Sequence, residues 1–364
     1  MRIAFLAAAN SWHIPVKTKY LVNQGHDVFY FQVYPGTNQS ITPKGVTCIE
    51  IKSSLPNFLK SFHQLILVAK YSKLLYIDIL HIVGMRYSYF SFVSKAKKNV
   101  IENNGSDVLV LPKKYKILKY LYSIIYKRSD AVVQDSFVTQ LAGLNCGAPV
   151  SNNEIIELGI DFDIFNLNVP SGIVRRKLNL LTEKIIFSPR GFTDLYNIKT
   201  IIKSISLVKE RYPNVKYVFC HHFGGEKDDY LKLIKDLDLV SNVIFTGFLD
   251  NEQELPYYYK DSDIVVSVPS SDSSPRSVYE AMACGIPVVI SELPWYHSKF
   301  KKNENVFVVP VRDEIALANL IISFFDGNSK LCTQSAYEFV KNEINMFNSG
   351  QKLEKLYQNL LEKQ

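Results

Sequence analysis

The chain of 364 residues lacks several features that mark common protein classes. Its five cysteines are scattered and never occur in a C-x-x-C spacing, which argues against a zinc site or disulfide framework and predicts reduced thiols of a cytosolic protein. No G-x-G-x-x-G follows the first apolar run, so a nicotinamide-dependent dehydrogenase is disfavoured. No window has the roughly 18 uncharged apolar residues of a membrane span. The most apolar stretch, residues 64–84, contains Lys70, Lys73 and Asp78.

Positive charge is in excess in one half of the chain only. Residues 1–165 carry 18 Lys+Arg against 11 Asp+Glu, whereas residues 166–364 carry 24 of each, so the whole net charge of +7 lies in the first half. This excess predicts either an anionic partner or a solvated basic face. Its densest part, KKYKILKYLYSIIYKR at residues 113–128, has six cations and no acid. This run fits an anionic inner-leaflet lipid surface or a helix with its apolar stripe in the core, and a nucleic-acid partner is not predicted.

Short apolar runs alternate with amphipathic segments from end to end, which indicates parallel strands alternating with helices. The predicted strands are 3–7, 28–31, 77–82, 131–133 and 155–158 in a first series, and 185–188, 215–220, 243–245, 264–268, 288–290 and 306–309 in a second. The predicted helices of the second series are 198–210, 229–239, 277–284 and 314–325. The sequence therefore predicts an α/β chain with two βα domains, residues 1–165 and 166–345, facing one another across a cleft.

Two further elements are predicted from local patterns. Gly25 fits the position that ends a helix beginning near Ile14, because a left-handed residue there is least costly as Gly. Residues 351–362 place apolar side chains at i, i+3, i+4, i+7 and i+8. We expect this C-terminal segment, residues 346–364, to pack back on the first domain.

The segment SSDSSPRSVYEAMACGIP, residues 270–287, carries the most chemical information. Ser274 followed by Pro275 predicts the N-cap and first position of a helix, where a missing N–H costs nothing. First-turn amides, including those of Arg276 and Ser277, would then point at an anionic ligand. Ser274, Arg276 and Ser277 are therefore candidate binding residues.

Two carboxylates, Asp272 and Glu280, flank the start of that helix. Carboxylates beside a phosphate-attracting helix end suit a nucleotide-sugar, because they accept hydrogen bonds from ribose and sugar hydroxyls. The spacing Asp272-x7-Glu280, followed by AMACGIPVV, resembles the donor-binding motif of family 4 of the retaining GT-B glycosyltransferases, which build bacterial glycans. The resemblance implies two Rossmann-like domains, with Glu280 on the donor ribose and Asp272 on the sugar. The family usually has Glu at the first acidic position and a Gly-rich turn after it, and this chain has neither.

Other residues extend the resemblance on the donor side. Arg190, in the run FSPRG, matches the family arginine that contacts the donor diphosphate, a role suited to a forked guanidinium; a surface ion pair is the alternative. The usual partner lysine is replaced by Leu195, and Lys199 is either a substitute or a solvated helix residue. Gly247 and Phe248 match the turn that meets the nucleotide base, although a plain strand end has the same letters.

The acceptor side of the resemblance lies in the first domain. Asn10, Ser11 and His13 follow the first strand, where the family has a small-residue loop near the phosphates and acceptor. His13 is either a substrate contact or a cap of its own helix. Asn104 stands where many members carry a His beside the reacting sugar carbon. Asp107 is a candidate catalytic carboxylate, with a turn-forming Asp as the alternative.

The resemblance implies retaining transfer of a sugar from a nucleotide-sugar, UDP- rather than GDP-linked, to a glycan or lipid-linked acceptor in bacterial surface polysaccharide biosynthesis. Arg190, Asp272 and Asp107 are the candidate catalytic groups. The D-x-D strings at 161–163, 236–238 and 261–263 do not share one strand end, so no metal or other cofactor is expected. The expected location is cytoplasmic, peripheral on the inner face of the membrane. A GT-B nucleotide-sugar 2-epimerase and a nucleotide-sugar-binding scaffold of little activity are the alternatives.

Overall fold

The computed structural model describes residues 1–34, 40–220, 227–247, 249 and 253–363. The chain divides into two compact units. The first unit comprises Met1–Gly159 and Met346–Gln364, and the second comprises Ile160–Asn345. Residues 160–165, which the sequence pattern places in the first domain, therefore belong to the second unit.

Among its described residues, the first unit contains a parallel sheet of seven strands in the order β3-β2-β1-β4-β5-β6-β7. The strands are β1 (Arg2–Ala8), β2 (Asp27–Val33), β3 (Thr47–Ile51), β4 (Ile79–Val83), β5 (Lys98–Asn103), β6 (Ala131–Gln134) and β7 (Asn153–Ile155). The helices are α1 (His13–Asn23), α2 (Asn57–Leu74), α3 (Ser106–Leu109), α4 (Leu111–Lys114), α5 (Ile117–Tyr126) and α6 (Phe137–Asn145), with a 3-10 helix at Met85–Phe92.

The second unit contains, among its described residues, a parallel sheet of six strands in the order β10-β9-β8-β11-β12-β13. The strands are β8 (Ile185–Ser188), β9 (Lys216–Phe219), β10 (Val243–Phe245), β11 (Ile264–Ser267), β12 (Val288–Ser291) and β13 (Phe307–Val309). The helices are α7 (Ile173–Lys177), α8 (Ile198–Arg211), α9 (Lys227–Asp236), α10 (Leu255–Lys260), α11 (Arg276–Ala283), α12 (Glu314–Phe325) and α13 (Thr333–Glu343).

A last helix, α14 (Met346–Glu362), returns to the first unit. Its apolar stripe, including Leu353, Leu356 and Leu360, is buried in one core with Ile14 and Leu21 of α1 and alternate residues of β1, β2 and β4. The hydroxyl of Tyr357 lies 2.5 Å from Nδ1 of buried His81 on β4. The helix is therefore held by both apolar burial and a buried polar contact.

The observed elements follow the apolar runs closely in the second series and less closely in the first. All six predicted strands of the second series are confirmed within a residue or two at each end. Gly25 has φ +78° just after α1, which confirms its helix-ending position. The strand predicted at 155–158 lies at Asn153–Ile155 instead, and β3 and β5 were missed altogether.

Candidate functional site

The sheet order of the second unit brings two chain segments together at one edge. Strands β8 and β11 are neighbours although β9, β10 and three helices separate them in sequence, and β8 has β9 on its other side. In open α/β sheets, ligands bind outside the carboxyl ends of strands at such a switch in strand order. Arg190 follows β8 and Asp272 follows β11, so both lie at this point.

Arg190 makes three side-chain contacts there. Its Nη2 lies 2.8 Å from Oδ2 of Asp272, and Nη1 donates to the hydroxyl of Ser277 at 3.2 Å. The guanidinium carbon lies 4.1 Å from the ring centroid of Tyr196, within cation–π range. The side chains of Arg190 and Asp272 are only 14% and 12% exposed, so the ion pair is largely withdrawn from water.

The electrostatics of Arg190 reflect this burial. Burial by itself lowers the pKa of Arg190, but the Asp272 charge and the neighbouring tyrosines outweigh it, and the pKa is raised above its ordinary value. Its Nε is buried and has no hydrogen-bond partner within the described part of the chain. One strong donor of the cluster is therefore unused by those residues, which is uncommon for a buried polar group.

Helix α11 carries the second carboxylate. Glu280 is buried, accepts a hydrogen bond from the Tyr259 hydroxyl at 2.9 Å on one oxygen, and has Nε of Arg276 2.7 Å from the other. Burial raises the pKa of Glu280, and the Arg276 charge and the Tyr259 hydrogen bond oppose that shift without cancelling it. Sequence reasoning proposed Arg276 only for its backbone amide and did not find Tyr259, which lies 21 residues away in the chain.

The predicted cap of this helix is wrong by one residue. The helix begins at Arg276, and Pro275 rather than Ser274 occupies the N-cap position, with extended backbone and no side-chain cap. Pro275 cannot cap with a side chain, but its carbonyl accepts the first helical hydrogen bond, from Val278 N–H at 2.9 Å. The amides of Arg276 and Ser277 precede that bond in the first turn, as predicted for an anion-attracting helix start.

Asn197 connects the segment after β8 to the segments after β11 and β13. Its φ is +50°, and its side chain donates to Val268 O at 2.9 Å and accepts from Ser270 Oγ at 3.0 Å and Arg312 Nε at 3.1 Å. Asparagine tolerates the left-handed conformation because its short polar side chain bonds locally. The sequence signal was the Tyr-Asn pair at positions 196–197, just after the missing family lysine.

The remaining donor-side candidates that the structure describes, Lys199 and Gly247, lie on other elements of the second unit. Lys199 is exposed on α8, with its ammonium 5.5 Å from the Tyr230 ring centroid. Gly247 follows β10 with φ +76°, a conformation that favours glycine. Phe248 lies outside the described residues.

The carboxyl edge of the first sheet holds the acceptor-side candidates. Asn10 is exposed and Ser11 half-buried in the turn after β1, and α1 begins at His13. The N-cap is Trp12, which makes no side-chain cap, and His13 is the first residue of the helix. The rings of Trp12 and His13 lie 3.8 Å apart. Asn104 follows β5, two strands away at the same edge.

Asp107 joins two loops of this edge. Its Oδ1 accepts the N–H of Asn104 at 3.0 Å, and its Oδ2 accepts the N–H of Met85, just after β4, at 2.8 Å. Burial is the main reason that its pKa is raised to about 7. The two backbone N–H groups lower the pKa, and the negative charges of Asp135 and Glu102 raise it further. These two contacts link the loops after β4 and β5, as a turn-forming Asp would.

The D-x-D string at 261–263 has structural partners at the start of α7. The carboxylate of Asp261 accepts the N–H groups of Gly172, Val174 (2.6 Å) and Arg175 (3.2 Å), which fixes the start of α7. Asp263 pairs with the Arg175 side chain at 2.9 Å. A search of the described ranges finds no group of three or more His, Cys, Asp or Glu arranged to hold a metal ion.

The basic run 113–128 forms α5 and the end of α4. Tyr122 and Tyr126 are buried, whereas Ile117, Tyr120 and Leu121 are exposed beside exposed lysines. The apolar stripe is therefore only partly core. No helix in the described part of the chain is both long enough and apolar enough to cross a bilayer.

Two family models match the chain, one in each unit. The model for glycosyl transferases group 1 matches residues 172–342, and the model for glycosyl transferase 4-like proteins matches residues 2–136. The first match contains the Arg190–Asp272 pair and Glu280, and the second contains Asp107. The chain belongs to the group 1 glycosyltransferases. The predicted family is thereby confirmed.

Curated relatives of this glycosyltransferase are distant. It is 22% identical over 253 residues to the amylovoran biosynthesis glycosyltransferase AmsK of Erwinia amylovora. The alignment covers 68% of this chain and 56% of that protein. It is 24% identical over 189 residues to the alpha-monoglucosyldiacylglycerol synthase of Streptococcus pneumoniae, and this alignment covers 50% of this chain and 41% of that protein. The chain thus spans about half the length of these two relatives.

Solved structures share the fold of this glycosyltransferase over nearly its whole length. A sucrose-phosphate synthase from Thermosynechococcus elongatus matches with a TM-score of 0.82 at 18% identity, covering all of both chains. Anabaena HepE, solved in complex with UDP and glucose, matches with a TM-score of 0.79 at 17% identity, covering 99% of this chain and 100% of that one. These matches and the two parallel sheets confirm the predicted GT-B fold with two Rossmann-like domains.

Proposed function

We propose that this glycosyltransferase moves a hexose from a nucleotide-sugar, preferentially a UDP-sugar, to a glycan or lipid-linked acceptor with retention of configuration. The observation that carries the proposal is the cluster after β8 and β11, where Arg190 contacts Asp272 and Ser277 and the next turn of α11 carries Glu280. A nucleotide-sugar needs a cation for its diphosphate and carboxylates for its two sets of hydroxyls. Arg190 supplies the cation, Asp272 and Glu280 supply the two carboxylates, and all three residues lie in the second unit.

Arg190 would bind the donor diphosphate and Asp272 the sugar hydroxyls. The buried Nε–H of Arg190, without an acceptor in the described residues, would gain one in a phosphate oxygen. Gly247 and Phe248 would face the nucleotide base, and Lys199 is a secondary candidate for the diphosphate.

Glu280 would hold the donor ribose. Each of its oxygens already has one partner, and a carboxylate oxygen offers a second lone pair, so a ribose hydroxyl can add to Tyr259 and Arg276 rather than replace them. The two partners keep the carboxylate in one rotamer. Such preorganisation lowers the entropic cost of binding.

Charge on the departing diphosphate would be stabilised by Arg190, Ser274 and the first-turn amides of Arg276 and Ser277. Fixed donors aimed at developing charge commonly supply the largest part of catalysis. The leaving phosphate would help to take the acceptor proton, so the reaction requires no protein nucleophile and, in this proposal, no metal or other cofactor.

The acceptor would bind at the carboxyl edge of the first sheet. Asn10, Ser11 and His13 after β1 and Asn104 after β5 offer donors and acceptors for sugar hydroxyls. Asp107 would act as a carboxylate on the catalytic side, because a pKa of about 7 allows it to accept a proton at working pH.

The biological setting is proposed from the relatives and from α5. The amylovoran enzyme supports a role in assembling a bacterial surface polysaccharide, and the diacylglycerol-modifying enzyme supports an acceptor held in a lipid. Exposed lysines around Ile117, Tyr120 and Leu121 would attach residues 113–128 to anionic lipid of the inner leaflet. The enzyme would then be cytoplasmic and peripheral.

A donor panel tests the proposal. Thermal unfolding is measured with UDP-, GDP-, ADP- and CMP-linked sugars, with and without manganese, on the wild type, Glu280→Gln and Glu210→Gln. Glu210 is an exposed control at the far end of α8. We expect one nucleotide-sugar to stabilise the wild type and the control, by about 2.7 kcal/mol at 100 times Kd, without need of manganese. Glu280→Gln should lose most of this shift.

Turnover then separates the alternatives. Transfer to a glycan or lipid-linked acceptor, with the anomeric configuration of the product read by NMR, is the expected result. Epimerised sugar formed without acceptor would identify a 2-epimerase instead. Donor binding with neither product would identify a scaffold.

A further inference from the structure

Two helices and a 3-10 helix form one layer on the same face of the first sheet. Leu6, Ile82, Ile101 and Val132 are successive register partners across β1, β4, β5 and β6, so their side chains point to one face. Leu6 and Ile82 share a core with Val68 of α2, and Ile101 and Val132 share one with Tyr122 and Tyr126 of α5. The 3-10 helix Met85–Phe92 contributes to both cores and contacts α5. Its place is therefore between α2 and α5.

The outer side of α2 is apolar where a surface helix is ordinarily polar. Phe58, Phe62 and Ile66, spaced four residues apart, are 82%, 63% and 50% exposed. The opposite side of the helix is already seated on the sheet through Val68 and its neighbours. The exposed stripe is thus additional to what the fold needs, and large contiguous apolar surfaces of this kind mark interaction sites.

The charge beside this stripe has one sign. Helix α2 contains Lys60, Lys70 and Lys73 and no Asp or Glu, and residues 51–77 as a whole contain no acid. Lys70 and Lys73 are exposed. The other exposed part of the same layer, α5, lies in a run that likewise has six cations and no acid.

From these observations we infer that the outer side of α2 is a second membrane-contacting surface, which binds an anionic bilayer together with residues 113–128. Aromatic and branched side chains would enter the boundary between headgroups and acyl chains, while the lysines pair with anionic headgroups. The inference rests on the proposed membrane association of α5 and adds a second attachment point. Two points on one layer would fix which face of the first unit lies against the bilayer.

A second copy of the same surface is a poor partner for it. Two identical acid-free faces would bring lysines against lysines, and like charges brought together are costly. An anionic bilayer supplies the missing negative charge along the whole layer.

The test is co-sedimentation of the full chain with vesicles of phosphatidylcholine alone or with 30% phosphatidylglycerol, on the order of cellular anionic content. The variants are Phe58→Ser/Phe62→Ser on α2, Lys113→Gln/Lys116→Gln/Lys119→Gln on the basic run, and Val150→Ser/Leu181→Ser as a control at exposed apolar positions elsewhere. We expect the wild type and control to bind anionic vesicles. The α2 variant should bind about tenfold or more weakly, since burying a Phe side chain accounts for at least that factor.

Each failure has a distinct signature. If the α2 variant binds like the wild type while the α5 variant binds weakly, the second surface is refuted and the α5 contact stands. If the wild type binds neither kind of vesicle, both the α2 surface and the α5 contact with the membrane are refuted. If the α2 variant changes only the oligomeric state measured by light scattering, the stripe is a contact between copies and the inference is wrong. Unchanged thermal midpoints are expected for all variants, because every replaced side chain is exposed.

Discussion

The carboxyl edges of the two sheets hold their acidic side chains with different partners. At the second sheet each acid of the cluster has a cation beside it: Asp272 has Arg190 and Glu280 has Arg276. At the first sheet Asp107 is held by backbone N–H groups, with two other acids nearby. The pKa of Asp107 is raised to about 7, and the pKa of Glu280 is raised as well, because its partners Arg276 and Tyr259 do not cancel the effect of its burial.

Glu102 shows that the partners of a buried acid can outweigh the effect of its burial. It is buried on β5, five residues before Asp107, yet its Oε2 lies 2.7 Å from the Lys17 ammonium and 2.9 Å from His81 Nε2. Burial alone would raise the pKa of Glu102, but Lys17 and His81 outweigh it and lower the pKa to about 2. For Glu102, the ammonium of Lys17 and the ring of His81 together reverse the sign of the pKa shift that burial would cause.

The largest expected effect comes from breaking the Arg190–Asp272 pair. Arg190→Met leaves a largely buried Asp272 without its cation, so we expect about 3 kcal/mol loss in the free energy of unfolding and at least about a 100-fold loss of transfer. Arg190→Met/Asp272→Asn removes both charges and should recover most of the stability but none of the transfer. Urea unfolding and transfer assays measure the two quantities. Recovery of transfer in the double variant would contradict a direct role for Arg190.

A smaller effect is expected from the pair that holds Glu102. Because its folded pKa is lowered from 4.5 to about 2, its contribution is present above pH 4.5 and is lost as the pH falls toward 2. The stability lost over this window is about 3 kcal/mol. The free energy of unfolding of the first unit is measured at pH values from 6 to 2. Unfolding is monitored by the fluorescence of Trp12 in the Trp295→Phe variant.

Glu102→Gln serves as the reference for that prediction. It removes the titrating group, so the difference in unfolding free energy between the two proteins should shrink as the pH falls. A constant difference from pH 6 to 2 would mean that the ion pair with Lys17 does not stabilise the unit.

The fold was predictable where strands are continuous apolar runs and not where they carry buried polar groups. The second series has such runs, and its six strands were found. Strand β5 was missed because it ends in Glu102 and Asn103, which are buried through Lys17, His81, Tyr126 and Gln134. Strand β3 was missed because it lies at the sheet edge and is largely half-exposed or exposed. The side chains that allow these polar groups to be buried lie far away in the sequence, so a local pattern of apolar and polar residues does not reveal them.

The sequence predicted which residues form the candidate site, but not which of their side chains contact one another. The motif identified Arg190, Asp272 and Glu280, and their shared location follows from the ends of parallel strands. That Arg190 and Asp272 neutralise each other depends on strand order, which places β8 beside β11. The Arg276–Glu280 contact has the i, i+4 spacing of a helical ion pair, so it could have been predicted from sequence. Tyr259 could not, because it reaches Glu280 from another helix.

The smallest expected effect distinguishes a catalytic Asp107 from a purely turn-forming one. If Asp107 accepts a proton during transfer, the rate should fall below about pH 7, and Asp107→Asn should remove that inflection while changing the rate at pH 8 by less than about tenfold. The raised pKa also predicts that the first unit loses stability as the pH rises from about 4 to 7, since the folded state holds the proton more tightly. A stability profile with this slope, together with a transfer rate that is flat through pH 7, would assign Asp107 to the turn alone.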